Sequence, residues 1–165
     1  MKINYYLYGH ENRNMLAKDL ARKLFADIEN DNEIFFVVKK SVNKFRGYKG
    51  QPVVIWEDFT AESLILCLGM EAFKGIFNTQ AGAPFMITDR SNIPLDVVNI
   101  VTGPQNCQEF FIKLATNPKN LVDITRRFGA LAEVRADGYE TYVNAGHCNG
   151  GNYANFQRVS AANFK

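Results

Sequence analysis

Two adjacent acids, Glu57 and Asp58, close an unbroken apolar run, Pro52-Val53-Val54-Ile55-Trp56. Neighbouring carboxylates can share the work of holding a divalent cation and orienting a water. That chemistry needs the acids fixed at the end of a rigid element, and the run supplies one. Short, continuous and β-branched, it reads as a strand buried on both faces, as at the centre of a parallel sheet. Open α/β sheets bind their ligands at the C-terminal ends of such strands. The same residues also read as a core strand closed by a solvated acidic turn.

The acids stand at the Walker B position of a P-loop NTPase, which calls for a phosphate grip elsewhere in the chain. Ile3 to Tyr8 is aromatic and β-branched and reads as a strand; Gly9 stops it, and the polar turn HENRN follows. Leu16, Leu20, Leu24 and Ile28 then keep helical spacing from Met15 onward. Strand, glycine-led turn and helix is the layout of a phosphate-binding loop. Against GxxxxGK[ST], Gly9 fits, but Asn14 takes the second glycine, Met15 the lysine and Leu16 the hydroxyl that binds Mg²⁺. Lys18 lies one turn too far along. What remains is a helix dipole, contributing about 1 kcal/mol or less toward a nearby anion.

The elements that must position these residues alternate in type. Glu33 to Val38 reads as a second strand, followed by Lys39, Lys40, Lys44, Arg46 and Lys49, a basic stretch that reads first as a solvated loop and second as a nucleic-acid contact. Ala61 to Leu68 reads as a helix capped by Thr60 with Ser63 close behind, ended by Gly69. Phe73 to Phe77 and Pro84 to Thr88 flank NTQAGA as a hairpin or loop. Val97 to Val101 is another buried-type strand. A helix with Phe110, Phe111 and Leu114 inward runs to Pro118, and Asn120 can cap the short helix LVDIT. From Arg135 the chain is rich in Gly, Asn, Ala and Tyr, and reads as loop or small appendage with a strand at Tyr139 to Val143.

Composition narrows the classes. With 165 residues, 47% hydrophobic and 22% charged, the chain suits one ordinary globular domain. A net charge of +2 is too small to argue for nucleic acid except through local patches. No apolar run has the length of a membrane span. Cys67, Cys107 and Cys148 are odd in number and widely spaced, which points to reduced thiols and a cytoplasmic setting. Two histidines without CxxC make a zinc site a poor reading.

The stretches DNEIFF, FRGYKGQPVVIWEDF and VVNIVTGPQNCQEFF, in this order, resemble the superfamily 3 helicase domain of replication-initiator (Rep) proteins from rolling-circle plasmids and small circular single-stranded DNA viruses. The resemblance covers Ile3 to Val134. It implies an α/β P-loop NTPase (AAA+-like) domain over residues 1–134, three-layered around a mostly parallel sheet, with 135–165 as a C-terminal extension.

It also implies roles. Glu57 and Asp58 match the acids that activate water, with Asp58 on Mg²⁺. FNTQAGAPF is similar to the hairpin that touches single-stranded DNA, which assigns Thr79, Gln80 and Gly82 to nucleic acid; the basic residue usual there is missing. The polar sensor falls at Gly103 or Pro104, with Asn106 nearby as a shifted sensor. Arg126 and Arg127 match the arginine finger, which reaches a neighbouring subunit. Gly9, Asn14, Met15 and Leu16 form a Walker A motif that has lost its lysine, so the implied motor, using ATP and Mg²⁺, is impaired in hydrolysis. The implied partners are single-stranded nucleic acid, DNA before RNA, and either copies of the chain in a ring or a full-length Rep protein, with no membrane. A non-catalytic pseudo-ATPase that serves assembly or nucleic-acid binding is the alternative. The family's N-terminal nuclease motifs do not precede Met1, so the chain reads as a fragment, a split product or a stand-alone remnant.

Overall fold

Nine strands and six helices arise in chain order among the described residues of this computed structural model, which are 3–40, 45–78, 85–86, 92–93, 97–147 and 154–164. They are β1 (Asn4–Gly9), α1 (Arg13–Leu24), α2 (Asp31–Ile34), β2 (Phe35–Val38), β3 (Val53–Trp56), α3 (Ala61–Leu68) and α4 (Met70–Ile76). Two-residue strands β4 (Phe85–Met86) and β5 (Asn92–Ile93) pair with each other. Then come β6 (Val98–Gly103), α5 (Cys107–Ala115), a 3-10 turn (Pro118–Asn120), α6 (Leu121–Thr125), β7 (Phe128–Val134), β8 (Gly138–His147) and β9 (Ala154–Asn163).

The main sheet has the order β2-β3-β6-β1-β7-β8-β9. Its first five members pair in parallel, and β8 and β9 add on antiparallel. Strand β3 is buried along its whole length, as its unalternating sequence requires. Val53 and Ile55 join Leu7, Ile100, Leu16, Ala17 and Ala21 on the face covered by α1. Val54 and Trp56 join Tyr6, Val101, Phe110, Leu114 and Ile124 on the face covered by α3 to α6. The result is three layers, helix–sheet–helix, of the P-loop NTPase type.

A polar tie crosses the second core. Trp56 Nε1–H donates to Asn99 Oδ1 (3.0 Å), while Asn99 Nδ2 donates to Asn4 Oδ1 (3.1 Å) and to the Ile76 carbonyl (3.2 Å). Asn4 Nδ2 in turn donates to the carbonyls of Phe77 and Arg127. Three adjacent strands are thus pinned to α4 by groups that would be costly to bury unpaired.

The helix at Ala61 has the expected cap. Thr60 Oγ1 accepts from Ser63 N–H and Ser63 Oγ accepts from Thr60 N–H, a reciprocal capping box. Elsewhere the sequence misleads. Phe73 to Phe77, read as a flank of a hairpin, lies mostly in α4, because Phe73 and Ile76 share one buried helical face. The helix LVDIT forms, but Asn120 makes no side-chain cap; its Nδ2 donates to the Ala115 carbonyl instead. The Gly- and Asn-rich tail, read as loop or appendage with one short strand, forms two ten-residue strands. Alternation from Tyr139 to Val143 lets β8 pair with the whole run from Ala130 to Val134 and extend the main sheet.

Candidate nucleotide site at the strand ends

Strands β1 and β6 are neighbours, yet the helices that follow them, α1 and α5, cover opposite faces. This is a topological switch point, where open α/β sheets form a crevice at the C-terminal strand ends. Four residues meet there. Arg13 Nη2 donates to Asp58 Oδ1 (3.0 Å) and Arg13 Nη1 to the Gly9 carbonyl (2.9 Å). Asn14 Nδ2 donates to the same Asp58 oxygen (3.0 Å). Thr102 Oγ1 donates to Asn14 Oδ1 (2.6 Å) and accepts the Asp58 N–H (2.9 Å). The first turn of α1, the turn after β3 and the end of β6 are therefore laced together.

The turn carrying the acids is held in an uncommon conformation. Asp58 has φ 59°, the left-handed region, which costs a non-glycine residue about 1 kcal/mol or more unless its surroundings fix it. They do: Glu57 N–H donates to the Val38 carbonyl and Phe59 N–H to the Thr102 carbonyl. Gly103 permits this approach, since a Cβ there would lie 2.2 Å from the Phe59 carbonyl oxygen. Gly9 has φ 101° and packs against the Val134 carbonyl at a distance that a Cβ would close to 2.5 Å. Tyr6 O–H donates to the Gln105 carbonyl, fixing the β6–α5 connection, and burial pushes its hydroxyl pKa well up.

Other residues singled out from the sequence are distributed less tidily. Glu57 faces the Lys39 ammonium at 3.7 Å. Met15 is 47% exposed and Leu16 is buried in the core under α1. Asn106 spends its Oδ1 capping α5 through Glu109 N–H. Arg126 and Arg127 precede β7, whose first residue pairs with Asn4 at the start of β1. They sit at the N-terminal edge of the parallel strands, at the far end of the sheet from Asp58. Arg127, 13% exposed, donates to the Lys74 carbonyl and to Asp123, whereas Arg126, 61% exposed, pairs with Asp123 alone. Thr79, Gln80 and Gly82 lie outside the described residues.

Two members of the cluster escaped the sequence reading. Arg13 lies inside HENRNML, two residues ahead of the lysine position of the Walker A pattern, and the helix begins at Arg13, which turns that side chain toward the end of β3. Thr102 sits one residue before the expected sensor. Its signal was a hydroxyl ending the buried run VNIV.

The residues present do not fit a magnesium–triphosphate held in the P-loop manner. Such a loop aims free backbone N–H groups at phosphate oxygens. Here His10 N–H is spent on the Val134 carbonyl, Asn12 N–H on His10 Nδ1, Arg13 N–H on the His10 carbonyl and Asn14 N–H on the Glu11 carbonyl. Oδ1 of Asp58 is taken by Arg13 and Asn14. Among the described residues no three His, Cys, Asp or Glu side chains gather to hold a metal ion, and no helix is long and apolar enough to cross a membrane.

A comparison with curated proteins gives no match. The family model described as RNA helicase matches residues 6–87, just under half of the chain, from β1 through β4. The matched span includes Gly9, Arg13, Asn14, Glu57 and Asp58. The matched span is thus similar to a helicase domain of the superfamily 3 type, and the sheet order is consistent with that likeness.

Proposed function

We propose that the chain is a replication-associated helicase-like domain impaired in ATP hydrolysis, which works as a nucleic-acid-binding and assembly module. One observation carries the impairment: Arg13 and Asn14 occupy one carboxylate oxygen of Asp58, while the amides of His10, Asn12, Arg13 and Asn14 bond within the protein. In this reading Gly9, Asn14, Met15 and Leu16 are a Walker A loop that has kept its place and lost its grip. Glu57 and Asp58 hold the Walker B place. Phosphoryl transfer depends almost wholly on positioning and charge neutralisation, so a missing lysine and a closed acid remove most of its catalysis. The motor of plasmid and viral Rep proteins is a counterpart by resemblance, with assembly through self-association or with a full-length Rep protein.

Single-stranded nucleic acid is the ligand class. Its support is the helicase match and the basic residues after β2, Lys39 and Lys40, both exposed. Arg126 is the better candidate of the arginine pair to reach a neighbouring subunit, because Arg127 is bound within its own chain.

Fluorescence anisotropy with labelled single-stranded DNA and RNA tests the reading, each with and without ATP and Mg²⁺. Binding that is weakened by salt and indifferent to ATP is expected. Absence of binding to both strands removes the nucleic-acid role. ATP-dependent release together with phosphate production restores the motor.

A further inference from the structure

Polar groups of Asp58, Asn14 and Thr102 gather where β3 and β6 end and α1 begins. Asn14 Nδ2 donates to Asp58 Oδ1 (3.0 Å), Thr102 Oγ1 donates to Asn14 Oδ1 (2.6 Å), and the Asp58 N–H donates to Thr102 Oγ1 (2.9 Å). A carboxylate, an amide carbonyl and a hydroxyl are the hard oxygen donors that Mg²⁺- and Ca²⁺-class ions select. The positive charge beside them is Arg13, whose side chain is only 14% exposed although Asp58 is 53% exposed. Arg13 Nε is buried and makes no hydrogen bond. A guanidinium that leaves a buried N–H unpaired is held by its charge and by its two Nη contacts rather than by a complete fit.

We propose that Arg13 is a built-in counter-ion that keeps divalent cations off Asp58, closing the site from within. The inference rests on Asp58 being the acid of the nucleotide site. The guanidinium holds Asp58 Oδ1 at 3.0 Å, so a divalent ion on either oxygen of this carboxylate would lie close to it, where the two charges repel. Removing the guanidinium leaves the Asp58 carboxylate without its counter-charge, beside the Thr102 hydroxyl. Arg13 is thus a positioning residue: it acts through Asp58 and need not touch a ligand.

Thermal unfolding of the full chain at millimolar MgCl₂, against NaCl of equal ionic strength, tests the proposal. The original chain should show no magnesium-specific shift. Arg13→Gln should gain one of about 3–6 °C once Mg²⁺ exceeds its dissociation constant about tenfold. Adding Asp58→Asn should abolish the gain, and Arg13→Lys, which keeps the charge, should behave as the original chain. A magnesium-specific shift in the original chain that Asp58→Asn removes would overturn the proposal, as would a folded Arg13→Gln chain without a shift. Should Arg13→Gln fail to fold, Mn²⁺ broadening of the Asp58 and Phe59 amide resonances in the original chain decides: broadening refutes the counter-ion and its absence supports it. Nucleic acid enters none of these readouts, so failure here and failure of the helicase-like reading are told apart.

Discussion

Asn99→Ala should be among the most damaging single changes in the protein while leaving the Asp58 cluster chemically intact. Asn99 is fully buried, and its side chain is the hub between Trp56, Asn4 and the Ile76 carbonyl. Truncation strands the Trp56 indole N–H and one lone pair of Asn4 Oδ1 away from water, and opens a small cavity beside them. Each buried group left unsatisfied costs about 1–3 kcal/mol, so the total is about 3–5 kcal/mol with the cavity included. That is a large share of the roughly 5–15 kcal/mol that holds a domain folded. Trp56 is the single tryptophan of the chain, so urea unfolding followed by its fluorescence reports on the spot. With a slope of about 2 kcal/mol per molar urea, the midpoint should fall by about 2 M. A fall below about 0.5 M would show that the indole N–H finds another partner, and the tie between the strands and α4 would lose its energetic meaning.

Four other changes probe separate parts of the account. Gly103→Ala places a Cβ on the Phe59 carbonyl and should cost about 1–3 kcal/mol, with faster amide exchange at Asp58 and Phe59, whose N–H groups bond Thr102. Arg127→Ala should destabilise the isolated chain by about 2 kcal/mol through loss of the Lys74 and Asp123 contacts, while Arg126→Ala should cost less than about 0.5 kcal/mol; equal costs in chemical unfolding would refute the assignment of Arg127 to its own chain. Glu62 is held down to about 2 from 4.5, first by its own backbone N–H and then by Lys113 and Gln105. A depressed folded-state pKa contributes stability that is complete above pH 4.5 and is lost as pH falls toward about 2, so Glu62→Gln should flatten the decline of Tm in that window.

Much of the architecture was legible because it rests on patterns that have one structural solution. An apolar run such as Val53 to Trp56 has no face to give to water, so it had to be an inner strand. Thr60 and Ser63 at cap spacing left little choice for the start of α3. Phe73 to Phe77 was harder, because five residues with two aromatics satisfy either period, and only packing of α4 under β6 decides. The tail was misjudged for a different reason. Its glycines and asparagines outweighed the alternation at Tyr139, Thr141 and Val143, although pairing with β7 is what orders them. At the site, motif spacing led to Gly9, Asn14 and Asp58, which do meet. The partners that complete the cluster, Arg13 and Thr102, depend on where α1 begins and where β6 ends, and a motif template does not carry those boundaries. Asn99 shows the converse, a polar residue in β6 whose side chain serves the core.

Calorimetric titration of the purified chain with ATP and Mg²⁺, paired with phosphate release in the presence of single-stranded DNA or RNA, reaches the central claim most directly. A loop whose His10, Asn12, Arg13 and Asn14 amides bond within the protein, and an acid paired with Arg13, predict no saturable heat in the micromolar range and no phosphate. Micromolar binding that depends on Mg²⁺ and Asp58, with turnover stimulated by nucleic acid, would contradict the account and make this domain a working motor.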